Sequence, residues 1–199
     1  NSAIVLRLVK TSRTDRSTMA LFGVFGLMYL GTLTTAPFFP LLVQRVHHGP
    51  GVATAIGLVF GASALIGALL SPAAGFLGDR YGFKRVLVGS TLLGAISLAG
   101  MALAPNTGAL TVAAIAFGMG SASSSSMVFA LLATTVAEDS RSTALNLSYV
   151  PLYVAGLTGG TLGALLARLN LSLVPLTGTV FALAASLVAL RAIPSPIRP

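Results

Sequence analysis

The stretch Gly75-Phe-Leu-Gly-Asp-Arg-Tyr-Gly-Phe-Lys-Arg85 interrupts a chain that is otherwise almost free of charge. It holds one acid, three bases and three glycines between two long apolar segments. Only 8% of the 199 residues are charged, whereas soluble domains carry about 25%. Because charge is costly to place in so apolar a chain, we expect this cluster to be functional.

The composition is that of an integral membrane protein. Apolar residues make up 55% of the chain and the mean hydropathy is +0.92, so a soluble fold would expose large apolar patches. The net charge of +8 could suit a nucleic acid, but the bases lie in short clusters between apolar runs, with few aromatics beside them. That pattern is typical of membrane topology signals, and we predict no nucleic-acid partner. The absence of cysteine excludes disulfides and thiolate metal sites.

Six apolar runs are each long enough to cross a bilayer, which takes about 20 residues. Polar or turn-rich segments separate them, such as His47-His-Gly-Pro-Gly51 and Pro105-Asn-Thr-Gly108. We therefore predict an all-α integral membrane fold with six transmembrane helices. The runs lie at 18–43, 52–74, 86–104, 109–136, 144–167 and 171–191.

The distribution of bases predicts the orientation. Ten of the 12 Lys and Arg residues fall on one side: four in the N-terminal segment, three in 75–85, Arg141, and two at the C-terminal end. Arg45 and Arg168 fall on the other side. Because basic loops stay in the cytoplasm, we predict that both termini are cytoplasmic, in an inner (plasma) membrane. The predicted divisions are a basic linker at 1–16, the membrane domain at 17–193 and a tail at 194–199.

The charged stretch resembles the signature of the major facilitator superfamily, which reads approximately G-x-x-x-D-R-x-G-R/K-R/K. It lies where that family has it, in the cytoplasmic loop between the second and third helices of a six-helix half. Phe83 departs from the pattern at a position where a base is common. Residues 138–145 resemble the family's loop between the fourth and fifth helices, and 37–44 resemble the end of its first helix.

The resemblance implies one half of a secondary transporter, built from two inverted three-helix repeats at 18–104 and 109–191. The implied partners are the lipid bilayer, a second six-helix half missing from this chain, and a small-molecule substrate. We predict efflux of drugs or metabolites by alternating access, without enzymatic activity or a cofactor. The basic N-terminal segment favours the C-terminal half. The alternatives are a non-transporting scaffold or regulatory subunit and a self-sufficient six-span carrier that dimerises.

In the resembled family the charged motif latches the two halves together in one conformation. Its glycines allow a tight turn, and its carboxylate can accept hydrogen bonds from N–H groups or pair with a nearby Arg. The alternative is a loop that only sets topology. The resemblance carries the latch role to Gly75, Gly78, Asp79, Arg80, Gly82, Lys84 and Arg85.

The first and fourth helices of a half line the central cavity in this family, which implies substrate contacts by Tyr29, Thr32, Ser123 and Met127. Hydroxyls in a membrane helix can instead bond to their own backbone. Small residues bring helices together in lipid, which predicts helix packing at Gly57, Gly61, Gly156, Gly159, Gly160 and Gly163. The family's antiporter stretch in the fifth helix is matched only at its later glycines.

Two other kinds of site are disfavoured by the residues themselves. His47 and His48 are adjacent, so their side chains point apart, and no acid lies near them in sequence. We therefore predict no metal site. No glycine-rich phosphate loop followed by Lys-Ser/Thr occurs, which argues against ATP-driven pumping by this chain.

Overall fold

The computed structural model describes residues 16–136, 142 and 145–193. The predicted linker up to residue 15, Arg141 with most of its loop, and the tail at 194–199 lie outside the described residues. Every regular element in the described part is a helix. These are α1 (Arg16–Thr35), a 3₁₀ turn (Ala36–Phe38), α2 (Phe39–Val46), α3 (Val52–Tyr81), α4 (Phe83–Leu103), α5 (Thr107–Thr135), α6 (Tyr149–Leu169) and α7 (Leu173–Ala192).

Six helical segments of the described chain are long and apolar enough to cross a membrane, which confirms the predicted fold class. The first runs from Ser17 to Val46 and combines α1, the 3₁₀ turn and α2. Pro37 and Pro40 lie at the starts of the turn and of α2, where a missing N–H is tolerated.

The predicted loop at 75–85 is almost entirely helical. Helix α3 continues through Tyr81 and α4 begins at Phe83, so Gly82 alone joins them. The prediction ended the second span at residue 74, before the first glycine of the charged stretch. Charged residues beyond the hydrocarbon region need not end a helix, because their side chains reach water there.

The two repeats are intertwined. The first helix of each repeat packs on the last two helices of the other: α1 lies against α6 and α7, and α5 lies against α3 and α4. The last helices of the repeats, α4 and α7, also pack together. Because each repeat has three spans, the second is inverted relative to the first. The contact pattern is unchanged when the repeats are exchanged, as a pseudo-two-fold axis requires.

Glycines let α1 and α5 approach their neighbours at backbone distance. On α1, a Cβ added at Gly31 would lie 3.0 Å from the Gly178 carbonyl oxygen of α7. The equivalent crossing on α5 has Gly120, whose added Cβ would lie 2.9 Å from the Ser90 carbonyl oxygen of α4. Gly67 of α3 meets α5 in the same way, at 3.0 Å from the Gly118 carbonyl oxygen.

Side chains cap the ends of α4 and α7, which lie side by side. Arg45 donates to the carbonyls of Met101 and Ala102 at 3.4 and 3.2 Å and to the Ser172 hydroxyl at 2.6 Å. At the other end, the Lys84 ammonium donates to the Leu190 carbonyl at 2.9 Å. The last carbonyls of a helix have no intrahelical partner, so each cation satisfies orphan acceptors and the negative end of a helix dipole.

Two glycines of α6 test the importance of close packing on α1. A Cβ at Gly163 would collide with the Thr34 carbonyl oxygen and the Phe38 ring, whereas one at Gly160 would meet nothing within 4 Å. We expect Gly163→Ala to lower the free energy of unfolding by about 1–3 kcal/mol because the helices must separate. The measurement is unfolding of the purified protein in detergent mixtures of rising SDS content.

Gly160→Ala is the matched control, with the same chemical change one turn away. It should leave stability unchanged or raise it slightly, since Ala favours the helix. Equal losses for the two variants would show that this crossing does not depend on direct backbone contact.

Candidate functional site

The charged motif forms a sharp corner between α3 and α4. Gly82 adopts φ 95° and ψ 132°, a combination that side-chain-bearing residues avoid. Its N–H donates to the Gly78 carbonyl at 2.8 Å and ends α3, while its carbonyl accepts from the Arg85 N–H at 3.1 Å and starts α4. A single glycine therefore reverses the chain.

Gly78 lies beneath this corner at a three-helix contact. An added Cβ would be 2.5 Å from the Phe83 ring and 3.0 Å from the Met127 sulfur. Phe83, the residue that departs from the family pattern, thus fills the space over Gly78. Met127 is only 1% exposed, so this predicted substrate contact lies in the apolar core beneath the motif.

The charged side chains of the motif divide into two groups. Lys84 reaches inward to cap α7 within this chain. Asp79, Arg80 and Arg85 are exposed, and the Arg80 guanidinium lies over the Tyr81 ring at 5.4 Å. Asp79 forms no ion pair with any residue that the structure describes. These three side chains are therefore exposed where α3 ends and α4 begins.

Tyr29 and Thr32 lie half-buried on α1, where it faces α5. The Tyr29 and Phe25 rings are tilted by 55° with centroids 4.6 Å apart, and Phe25 meets Phe129 of α5 edge-on at 5.4 Å. Phe129 in turn lies 6.5 Å from Tyr149 of α6. A row of aromatic rings therefore crosses from α1 through α5 to α6, ending in an exposed tyrosine.

The serine run of α5 points in several directions. Ser124 donates to Ser90 of α4 at 2.8 Å, and Ser126 lies 3.3 Å from Ser71 of α3. Ser123, the predicted cavity residue, lines a groove between α3 and α4. Ser121 lines a small cavity together with Thr32. Ser121 and Ser124 were not among the predicted site residues, although their three-residue spacing places them on one helix face.

The predicted packing glycines also separate. Gly159 and Gly163 lie against α1, and a Cβ added at Gly156 would lie 4.0 Å from the Leu33 side chain. Gly57, Gly61 and Gly160 have open space beyond them. Gly57 and Gly61 begin an exposed line of small residues on α3, called here the α3 stripe: Gly57, Gly61, Ala64, Ala68 and Pro72.

The far end of the bundle holds the two histidines. The His47 Nε2 lies 3.2 Å from the Pro50 carbonyl. In the described parts of the chain, no group of three His, Cys, Asp or Glu residues is arranged to hold a metal ion.

The inverted repeats and the glycine corner can be compared with known proteins. The model of the Major Facilitator Superfamily matches residues 21–199, which is most of the chain. The chain belongs to the major facilitator superfamily. Within this superfamily it is 31% identical over 156 residues to the multi-drug resistance efflux pump PmrA of Streptococcus pneumoniae, an alignment that covers 78% of this chain and 39% of PmrA.

Two further comparisons agree. The chain is 34% identical over 93 residues to the MFS-type transporter YuxJ of Bacillus subtilis, covering 47% of this chain and 24% of YuxJ. The human organic anion transporter MFSD10 superposes with a TM-score of 0.79 at 20% identity, over 92% of this chain and 48% of that one. The chain thus spans less than half the length of each of these superfamily members.

The corner of the motif predicts a difference between two of its glycines. We expect Gly78→Ala to destabilise the protein by about 1–3 kcal/mol, because the methyl group would displace Phe83 or Met127. Gly75→Ala should be neutral, since an added Cβ there meets nothing within 4 Å. Both are measured by SDS-driven unfolding.

Adding Phe83→Leu to Gly78→Ala provides the internal check. The smaller side chain should restore part of the lost stability. If the double variant is as unstable as the sum of the single changes, the contact between Gly78 and Phe83 is not the cause.

Proposed function

We propose that this chain is one six-helix half of a secondary transporter that exports drugs or metabolites by alternating access. The observation that carries the proposal is a complete pair of inverted repeats whose α3 and α6 faces have no partner in the described chain. The likeness to PmrA supports efflux. It also favours transport over a non-transporting scaffold, since the named relatives are transporters.

The docking surface for the second half is the exposed side of α3 and α6. In the most apolar 18-residue stretch of each of these two spans, 17% is buried within the chain, against 50% in the span that contains α4. Small residues line these sides: the α3 stripe on α3, and the exposed Gly156 and Ala164 with the half-exposed Gly160 on α6. Other faces of the same helices expose leucine. Lipid gives no hydrophobic driving force for helix association, so helices pack closely through faces of small residues, where their backbones can approach. The occupant we assign is the second six-helix half.

The motif acts as the latch at one end of this surface. Asp79 lies two helical turns beyond Pro72 on α3, next to the exposed Arg80. A carboxylate there can accept hydrogen bonds from a helix N-terminus of the second half, worth about 0.3–1 kcal/mol at an exposed site. That energy is small enough to be made and broken during each transport cycle. Gly78, Gly82 and Lys84 hold the corner in shape, and Gly75 leaves room beside it.

The substrate surface that we assign is the face of α1 with Tyr29 and Thr32. Both are half-buried, and the aromatic row leads from Tyr29 towards the exposed Tyr149. Apolar rings and hydroxyls without fixed charge suit an apolar or aromatic drug. Ser123 opens onto a separate groove and Met127 is enclosed, so we assign them no contact.

The orientation follows from the bases. Arg16, Arg80, Lys84, Arg85 and Arg191 lie at the motif end of the described bundle, and Arg45 and Arg168 lie at the other end. By the positive-inside rule the motif end faces the cytoplasm of the cell that carries this protein in its plasma membrane.

The latch predicts that Asp79→Asn in the whole transporter slows export at least several-fold while expression and folding are kept. The amide removes the charge that the partner helix N-terminus would attract. Flux is measured in proteoliposomes with a panel of fluorescent drugs. Asp79→Glu, which keeps the charge, is the control, and full flux in Asp79→Asn would contradict the latch.

The docking surface predicts contact with the second half at the α3 stripe. The chain has no cysteine, so a benzophenone attached at Gly61→Cys gives a label at one site of this half. Irradiation of the whole transporter should join the label to the second half. The same label at Ile96→Cys, on the exposed side of α4, should react only with lipid. Crosslinking to lipid alone from both sites would overturn the assignment.

A further inference from the structure

A small hydroxyl-lined cavity lies where four helices meet at the centre of the bundle. Its walls come from α1, α4, α5 and α7, the helices that surround the pseudo-two-fold axis. The cavity has a volume of about 20 Å³. The polar groups that line it are Thr32, Ser90, Thr91, Ser121 and Ser124.

Most of these hydroxyls donate a hydrogen bond to a backbone carbonyl of their own helix. Thr32 donates to the Met28 carbonyl, Ser90 to the Leu87 carbonyl and Thr91 to the Val88 carbonyl, each at 3.0 Å. Their oxygens keep unused lone pairs that can accept further hydrogen bonds. The Ser90 oxygen already accepts from the Ser124 hydroxyl at 2.8 Å, so the lining oxygens that no donor occupies in the described chain are those of Thr32 and Thr91.

Ser121 supplies the complementary group. Its hydroxyl makes no hydrogen bond with another residue in the described ranges, whereas the neighbouring Ser125 and Ser126 hydroxyls are each bonded to a backbone carbonyl. The cavity is thus lined by one O–H donor without a partner in the described chain and by the acceptor oxygens of Thr32 and Thr91.

The backbone at Gly94 marks the open space. Gly94 is buried and lines the cavity, yet a Cβ added there would meet nothing within 4 Å. A buried glycine with free space beyond it is uncommon in a close-packed interior. A cavity above about 10–15 Å³ has room for one water molecule, which needs at least two polar partners to hold it.

We propose that this cavity is a binding site for a single structural water. The water accepts a hydrogen bond from the Ser121 hydroxyl and donates to the oxygens of Thr32 and Thr91. Thr32 makes no direct hydrogen bond to another helix in the described chain, so the water adds a hydrogen-bonded link from α1 to α4 and α5. The ligand is a neutral molecule because no acidic side chain lines the cavity to hold a cation.

The first test compares two Gly→Ala changes on α4 in the intact membrane-embedded protein. Gly94→Ala places a methyl group in the cavity, and Gly89→Ala places one on the exposed side of the same helix, where nothing lies within 4 Å. Both gain helix propensity equally. If water is bound, Gly94→Ala displaces it, and its thermal midpoint lies about 2–4 °C below that of Gly89→Ala. A midpoint above that of Gly89→Ala means that the methyl fills a dry void and overturns the proposal.

The second test detects the water directly and does not depend on stability. Radiolytic hydroxyl labelling modifies side chains beside bound water, and Met28 lines the cavity whereas Met101 is buried elsewhere. Labelling of Met28 should fall at least two-fold in Gly94→Ala, with Met101 unchanged. Equal Met28 labelling in the two proteins would contradict the site. A thermal midpoint that rises in sodium chloride over choline chloride, and does so only with Gly94 intact, would identify a cation there and also overturn the proposal.

Discussion

Backbone-to-backbone contact of α1 and α5 with their neighbours is the interaction on which this structure depends. Inside a bilayer, apolar side chains gain nothing by leaving lipid for one another, so helix association relies on close packing. At three crossings a glycine lies so close to the next backbone that an added Cβ would be within about 3 Å of it. These are Gly31 against Gly178, Gly120 against Ser90 and Gly94, and Gly163 against Thr34. These crossings hold α1 and α5 against the helices of the other repeat, so the two repeats form one domain.

The same exchange determines what is left uncovered. Because α1 and α5 are each packed on two helices of the other repeat, α3 and α6 are left at the edges with most of their surface free. One edge carries the α3 stripe and ends at the charged corner, whose outward residues find no ionic partner in the described chain. Packing, exposure and charge thus converge on one surface, which is where a second half would dock.

The sequence predicts the parts of this structure that depend on length and local chemistry. Six apolar runs of sufficient length give six spans, and the glycines of the charged stretch indicate a tight turn. The position of the turn within the charged stretch was not readable, because charged residues outside the hydrocarbon continue a helix as well as end it.

Which glycines pack against another helix, and which cavity each polar residue lines, depends on the three-dimensional neighbours of those residues. Gly57 and Gly163 sit in the same kind of glycine spacing, yet only Gly163 meets another helix, and nothing in the spacing says which helix lies opposite. Ser121 and Ser123 differ by two positions on α5, and the rotation between them decides which cavity each one lines. Met127 occupies a helix that faces the candidate substrate surface, but its own direction puts it beneath the motif.

The most direct test of the account is transport by this chain with and without a second half. The chain would be reconstituted alone in proteoliposomes and, in parallel, as part of the whole transporter, and export of fluorescent drugs would be followed in both. If the uncovered faces of α3 and α6 belong to an interface, the chain alone should fold and give no flux, and the whole transporter should export. Drug flux from the chain alone, at a rate comparable to that of the whole transporter, would contradict it.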